Sequence, residues 1–252
     1  MKRRLSTIAI ALVALVIIAL IIVDVSLGRI VKKGVEFYGP KMTQTTVDVD
    51  TVTLSLFTGS ASVKGLVVGN PSGYKSPSAL AVGTIAVGIN PTTVFANKIV
   101  IRSIRLESPD ITFEGGLAGN NLSQILDNVN STGKSSGTLS TNVAAQPKSE
   151  KKYEVDDLVI TGAKVRVILI GVKAGEMTLP LPEIHLTDLG KGGDGITATD
   201  LTRRILGAIT STSLQAVAKT ATGLGENAKT LRQAGQNAGK QLGNAVKSLL
   251  GK

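Results

Sequence analysis

The sequence predicts an α+β protein: an N-terminal transmembrane helix, then a curved, mostly antiparallel β-sheet with short connecting helices, then a C-terminal helical segment. Three observations predict it. Ile8 to Val23 is an unbroken apolar run. From residue 45 to 186, short stretches of alternating apolar and polar residues recur between Gly, Pro, Asn and Ser turns, which is the period of half-buried strands. From Thr197 onward the apolar period lengthens to that of a helix.

The apolar run extends from Leu5 to Val23 with only Ser6 and Thr7 interrupting it. At 1.5 Å per residue it spans roughly 28 Å, close to the hydrocarbon thickness of a bilayer. Its anchor positions are Ile8, Leu12, Leu15, Ile18 and Ile22. A cleaved signal peptide is the competing reading, with Ser26-Leu27-Gly28 as its cleavage window; the apolar core of such peptides is shorter, about 7–15 residues. Lys2, Arg3 and Arg4 favour an inside N-terminus, while Arg29, Lys32 and Lys33 pull the other way. A short N-terminal flank before a large domain gives N-in, single-pass insertion, with the main domain in the periplasm of a two-membrane cell.

Residues 45–69 predict two strands around the turn Thr58-Gly59-Ser60. Val52, Leu54 and Leu56 alternate on the first strand and Val63 lies on the second, where the phase changes near Gly65 as at a bulge. Asn70-Pro71-Ser72-Gly73 is a loop. Ala79–Ile89, containing Val82, is a third strand, and Pro91–Ala96 a short helical connector opened by proline. Lys98–Leu106, with Ile99 and Ile101, and Asp110–Phe113 are two more strands, parted by Ser108-Pro109. Leu122, Ile125 and Leu126 mark a helix over 120–128.

Residues 131–150 are rich in Ser, Thr, Gly, Asn and Lys and form a linker or loop, since that composition buries too little apolar surface to order itself. Tyr153–Ile160, Lys164–Val172 and Glu176–Leu186 are a second strand group, the last an edge strand because Pro180 and Pro182 cannot donate to a ladder. In Lys164–Val172, Val165, Val167 and Leu169 share one face and Arg166, Ile168 and Ile170 the other, so both faces are partly apolar. A helix opens at Thr197–Asp200 and runs to about Ala221. Beyond it, a glycine-interrupted stretch keeps a thin apolar stripe from Leu224 to Leu249, opposite Lys229, Arg232, Lys240 and Lys247. It is either a solvated tail or a segment lying on an anionic membrane surface. The boundaries are therefore 1–28 for the anchor, 29–130 for a β-rich region, 131–150 for the linker, 151–190 for the second strand group, and 195–252 for the C-terminal helices and basic tail.

Composition closes several routes to function. The 252 residues contain no Cys, which excludes a disulfide framework, thiolate metal sites and a cysteine nucleophile. The one His, His185, excludes sites needing two imidazoles. Three Tyr, four Phe and no Trp leave little for base stacking, so nucleic acid is not expected as a partner. The net charge of +10 sits mostly at the two ends, +3 at residues 2–4 and +5 over 219–252. Asp156 and Asp157 point to opposite faces of a strand and make no carboxylate pair. No serine lies in G-x-S-x-G, and Gly190–Gly195 lacks the spacing of a phosphate loop. No catalytic, metal-binding or cofactor-binding residue is assigned, and no cofactor is expected.

Residues 47–130 resemble the start of the AsmA family of envelope proteins. The resemblance rests on LSLFTGSASVKGLVVGNPSGY at 54–74, the strand ending SPDITFE, and GNNLSQILDNVN at 119–130, in that order. After the linker, KYEVDDLVITGAKVRV resembles the family's re-entry into its sheet and LPEIHLTDLG a later strand. The resemblance implies a non-enzymatic, inner-membrane-anchored periplasmic protein. Its sheet would curl into an apolar groove that binds or transfers phospholipid acyl chains in outer-membrane maintenance. The groove candidates are Val52, Leu54, Leu56, Val63, Val82, Ile99, Ile101, Val165, Val167 and Leu169. About eight strands at 4.8 Å give a groove on the order of 40 Å long, too short to cross a periplasm alone. The same alternation also fits an ordinary core covered by the C-terminal helix. That second reading is a structural or adaptor module that binds envelope proteins or a second copy of itself and has no lipid groove.

Overall fold

The computed structural model describes residues 26–135, 151–169 and 176–220. Helix α1 covers 26–43 and leads into β1 (Val47–Asp48), β2 (Thr51–Ser55), β3 (Ser60–Val68) and β4 (Leu80–Ile89). A single 3-10 turn at Pro91–Thr93 precedes β5 (Lys98–Glu107) and β6 (Asp110–Gly115). Asn90 caps that turn by accepting from the Thr92 N–H. Helix α2 (Asn121–Ser135) follows, then β7 (Lys152–Thr161), β8 (Lys164–Leu169), β9 (Met177–Pro180) and β10 (Ile184–Leu189). Helix α3 covers 198–220, and Thr197 caps its start: its hydroxyl oxygen accepts from the Asp200 N–H at 3.0 Å and its O–H donates to the Asp200 carboxylate at 2.9 Å. The chain divides into two compact units, Met1–Ser213 with the sheet, α1 and α2, and Leu214–Lys252.

The ten strands are six long ribbons crossed by one transverse line, at which four are broken and β3 and β4 run through. β4 pairs with β6 at Ala81↔Asp110 and with β5 at Ile85↔Leu106, without loss of register. β5 and β7 are offset by 54 residues (Lys98↔Lys152), and so are β6 and β8 (Asp110↔Lys164). The pairs Ile184↔Ile160 and Pro180↔Lys164 likewise share one register. Carrying the registers through the breaks places Asp50, Gly65, Gly83, Ser108, Gly162 and Pro182 on a single line. Three of these six, Gly65, Ser108 and Gly162, have φ of +63°, +49° and +63°.

A residue in the left-handed region does not continue the pleat, so alternation restarts out of phase beyond it. The burial pattern follows that rule in every ribbon. Val68, Leu80 and Val82 are buried on one side of the line, at even positions. Their inward neighbours across it, Val63, Ile85 and Val87, are odd. Ile104, Leu106, Leu158 and Ile160 give way in the same manner to Ile111, Phe113, Val165 and Val167. The switch of phase lets one apolar face run across the crease, where unbroken alternation would put apolar groups on both faces.

Two expectations are corrected here. The sheet is mixed: seven of its nine strand pairings are antiparallel, but β5–β7 and β6–β8 are parallel. The reason lies in the connection. β6 leads into α2 and not into a hairpin, so the next ribbon re-enters at the Lys98 end and runs alongside β5 and β6. Second, no helix among the described residues is long and apolar enough to cross a membrane. Helix α1 carries Arg29, Lys32, Lys33, Glu36 and Lys41, and the expected N-terminal transmembrane helix is not found among the described residues. The run Leu5–Val23, with Ile8, Leu12, Leu15, Ile18 and Ile22, lies outside the described residues, as do 136–150 of the linker and the tail from 221. Two element boundaries also move. Helix α2 continues to Ser135, and the strand expected over Glu176–Leu186 is split into β9 and β10 around Pro182.

Helix α1 packs along the edge ribbon. A Cβ on Gly28 would meet the Val52 carbonyl oxygen at 2.3 Å, and one on Gly39 the Val47 side chain at 2.9 Å. The Lys32 ammonium donates to the carbonyls of Val49 and Asp50, which satisfies edge acceptors where β1 breaks into β2. Asn128 of α2 donates to the Thr43 carbonyl at 2.8 Å, tying α2 to the end of α1. The crease predicts a contrast between two glycines. Gly65→Ala places a Cβ 2.0 Å from the Asp50 carboxylate at a positive φ, and it should cost about 1–2 kcal/mol or more in denaturant unfolding. Gly83→Ala, on the same line with open space and no positive φ, should shift the midpoint little; equal losses at both positions would refute the crease.

Candidate functional site

Three sequence features that lie far apart in the chain, the Asn70–Tyr74 loop, the strand Asp110–Glu114 and the Asn120–Asn121 helix start, meet in one buried polar network. Glu114, only 3% exposed on β6, accepts from the N–H groups of Lys75 and Ser76 at 2.8 Å each and from the Ser76 hydroxyl. Its own N–H donates to Asn121 Oδ1 at 2.9 Å. Asn121 Nδ2 donates to Asn70 Oδ1 at 2.7 Å and to the Thr112 carbonyl at 2.8 Å. Asn70 Nδ2 returns to the Ser76 carbonyl at 2.7 Å. Asn120 caps α2 by accepting from the Ser123 N–H at 2.9 Å.

Burial alone would raise the Glu114 carboxyl. The Ser76 hydroxyl, the two backbone N–H groups and the Lys75 charge together outweigh it and hold the carboxyl below its ordinary value. Burial, then the Glu114 charge, pushes the Tyr74 phenol up. A network whose members satisfy one another fixes geometry rather than reacting with a substrate. It clamps the loop after β3 and the start of α2 onto β6.

The polar side of the sheet carries cross-strand ion pairs. Asp157 on β7 takes a hydrogen bond from Arg105 on β5, and His185 Nε2 on β10 lies 2.5 Å from its other oxygen. These hydrogen bonds, Arg105 first and His185 second, keep Asp157 below the usual carboxylate range. No hydroxyl is hydrogen-bonded to His185 in this group, so it lacks the geometry of a nucleophile–base pair. Lys98 pairs with Glu154 at 2.7 Å and Arg166 with Glu176 at 2.8 Å. Among the described residues, no group of three or more His, Asp and Glu side chains is placed to hold a metal ion.

The apolar face is covered unevenly. Beyond the crease, on β6 and β8, Ile111, Phe113 and Val165 are at most 1% exposed. On the turn side, Leu54, Val63, Ile85, Val87, Ile89 and Ile101 remain half-buried. All but Leu54 lie on ribbons paired on both flanks, so solvent reaches them through the face and not from an edge. They adjoin the buried Ile104 and Leu106 through the pairs Val87↔Ile104 and Ile85↔Leu106.

The structure therefore divides the ten sequence-chosen groove residues. Val52 and Val63 are directly paired, and Leu54 follows Val52 on the same ribbon. Leu56, Ile99 and Ile101 are half-buried at that same end. Val82, Val165 and Val167 are buried on the far side of the crease, and Leu169 ends β8 there. Sequence reasoning missed Ile85, Val87 and Ile89, which complete the half-covered strip; Gly83 inside an otherwise apolar strand was the available signal. It also missed Glu114 and Asn121, visible in the sequence only as members of separate motifs.

Comparison with known proteins returns no match to a family model, a curated protein or a solved structure.

The clamp gives a pH-dependent prediction. A carboxyl depressed in the folded state contributes stability that is present above its ordinary value near 4.5 and is lost as pH falls through the lower folded value. Glu114→Gln should therefore destabilise by about 1–3 kcal/mol at pH 7. Its stability should also fall less steeply than that of the parent between pH 5 and 3, measured by denaturant unfolding at each pH, about the range in which such a group protonates.

Proposed function

We propose that this chain is a non-enzymatic lipid-binding or lipid-transfer module of the AsmA-like kind, working at a membrane of the cell envelope with its main domain on the periplasmic side. The observation that carries the reading is the half-covered strip of Leu54, Val63, Ile85, Val87, Ile89 and Ile101, all but Leu54 on ribbons paired on both flanks. A core residue on an interior strand is normally covered, because leaving it open forfeits about 25 cal/mol for every Å² left in water. An acyl chain laid along the strip would recover that term. Covalent chemistry has no constellation to support it, whereas acyl binding requires only an apolar surface of this shape. The completeness of burial beyond the crease, with Phe113 and Val165 at most 1% exposed, favours instead the adaptor reading, in which the sheet serves its own helices and a protein partner.

Lipid extraction separates the two readings. Full-length protein purified from cells should carry phospholipid enriched over the detergent background, measured by mass spectrometry. It should also take up a fluorescent acyl probe. Val87→Asp on the strip should weaken probe uptake about tenfold, equivalent to about 1.4 kcal/mol, while Thr84→Asp on the exposed polar side of the same strand should not. Unfolding midpoints of both variants establish that they fold. Absence of enriched lipid and of probe uptake in the parent protein removes the lipid reading and leaves the adaptor.

A further inference from the structure

Two phenylalanines stand almost free of the protein, Phe57 at 70% and Phe95 at 74% exposure. Phe57 lies in the turn between β2 and β3, and Phe95 in the connector between β4 and β5. Both loops close the same end of the sheet, because Ser60 at the start of β3 pairs with Gly88 near the end of β4. The loops are fastened together there: the Ile89 N–H donates to the Gly59 carbonyl at 2.6 Å, and the Arg102 guanidinium donates to the Ile89 carbonyl at 2.9 Å. Leaving two full aromatic rings in water on fixed, adjacent loops is unfavourable unless something receives them.

Charge identifies the receiver. Lys98, Arg102, Lys151 and Lys152 cluster at this end, and among the described residues only Lys98 has a carboxylate partner, Glu154. Arg102 and Lys151 make their described hydrogen bonds to backbone carbonyls, the latter to Phe95 and Ala96, so their charges stay available. Aromatic tips ringed by unpaired cations match the interfacial layer of an anionic bilayer, where rings enter the headgroup–acyl boundary and cations meet phosphate.

The chain's own direction agrees. Helix α1 touches Val52 through Gly28 and Val47 through Gly39, so it runs opposite to β1 and β2 and its N-terminus points to the end where β2 turns at Phe57. The described chain therefore begins at that same end.

We infer that the Phe57–Phe95 end of the sheet docks on an anionic phospholipid surface, with both rings in the interfacial layer and Arg102 and Lys151 on lipid phosphate. The docking is independent of whether the half-covered strip holds a lipid. Because the chain has no cysteine, single cysteines report on it cleanly. Full-length Phe57→Cys, Phe95→Cys and, in the exposed loop at the opposite end of the sheet, Ser72→Cys are labelled with an environment-sensitive fluorophore. Each is reconstituted into vesicles of phosphatidylglycerol and phosphatidylcholine carrying a bilayer-attached quencher. Labels at 57 and 95 should be quenched at least about threefold more than the label at 72, and Arg102→Glu with Lys151→Glu should remove most of that difference in vesicles with anionic lipid. Equal quenching at all three sites overturns the docking. So does quenching at 57 and 95 that is indifferent both to the anionic lipid and to the charge reversal, since the apolar sequence alone would then account for it. Strong label–label transfer between copies without bilayer quenching assigns the tips to a second protein copy and also overturns it.

Discussion

Where the ribbons of a sheet change the phase of their alternation, a single apolar face survives only if all of them change it at the same place. In this protein the change falls on a line of residues, Asp50, Gly65, Gly83, Ser108, Gly162 and Pro182, three of which have a positive φ. Gly65 and Gly162 adopt a left-handed conformation at little cost, Ser108 adopts it against its preference, and Pro182 has no N–H to give to the ladder. Because registers hold through the line, Ser108 and Gly162, both at positive φ, lie side by side on neighbouring ribbons. A Cβ on Gly162 would already stand 2.9 Å from the Ser108 hydroxyl oxygen. The change of phase is thus a property of the sheet rather than of any one strand. The position of the apolar face, and with it the seating of α1, follows from it.

The halves on either side of the crease have different fates. Beyond it, the Glu114–Asn121–Asn70 network draws the loop after β3 and the start of α2 onto β6, and the face beneath is shut from solvent. Buried polar groups are costly when unsatisfied and fix a geometry when satisfied, which explains why three short motifs distant in sequence converge there. On the turn side no comparable network is seen among the described residues; Val155, Leu158 and Ile160 of β7 are buried, while Val63, Ile85, Val87, Ile89 and Ile101 stay half-covered and the loops end in exposed phenylalanine. The two halves therefore differ in how they are held: one is fixed by a satisfied polar network, and the other keeps a partly open apolar strip on β3, β4 and β5.

Local alternation located the strands 80–89, 98–107 and 152–161 closely, because each has apolar residues at period two between Gly, Pro or Asn punctuation. The helix start at Thr197 was legible because its capping hydrogen bond reaches only three residues along the chain. The pairing of β5 with β7 was not legible, since parallel pairing depends on where a chain returns and no local pattern encodes it. The phase change at Gly65 was visible, but its meaning needed the partners. In Lys164–Leu169 the same alternation looked like two apolar faces; with Val165 and Val167 buried and Arg166 exposed and paired to Glu176, it is one.

The sequence by itself determined which residues are apolar, where they alternate, where turns must fall and which chemistries are closed by the lack of cysteine and the single histidine. Those are one-body and short-range properties of the chain, fixed by side-chain type and backbone preference. Only the tertiary structure decided that Val82, Val165 and Val167 are sealed while Val63 and Ile101 stay partly open, and that Glu114 is a clamp. It also decided that Phe57 and Phe95 share one end. Each of these depends on a distance between residues tens of positions apart, and such distances arise from register, crease and crossover, which exist only once the ribbons have paired.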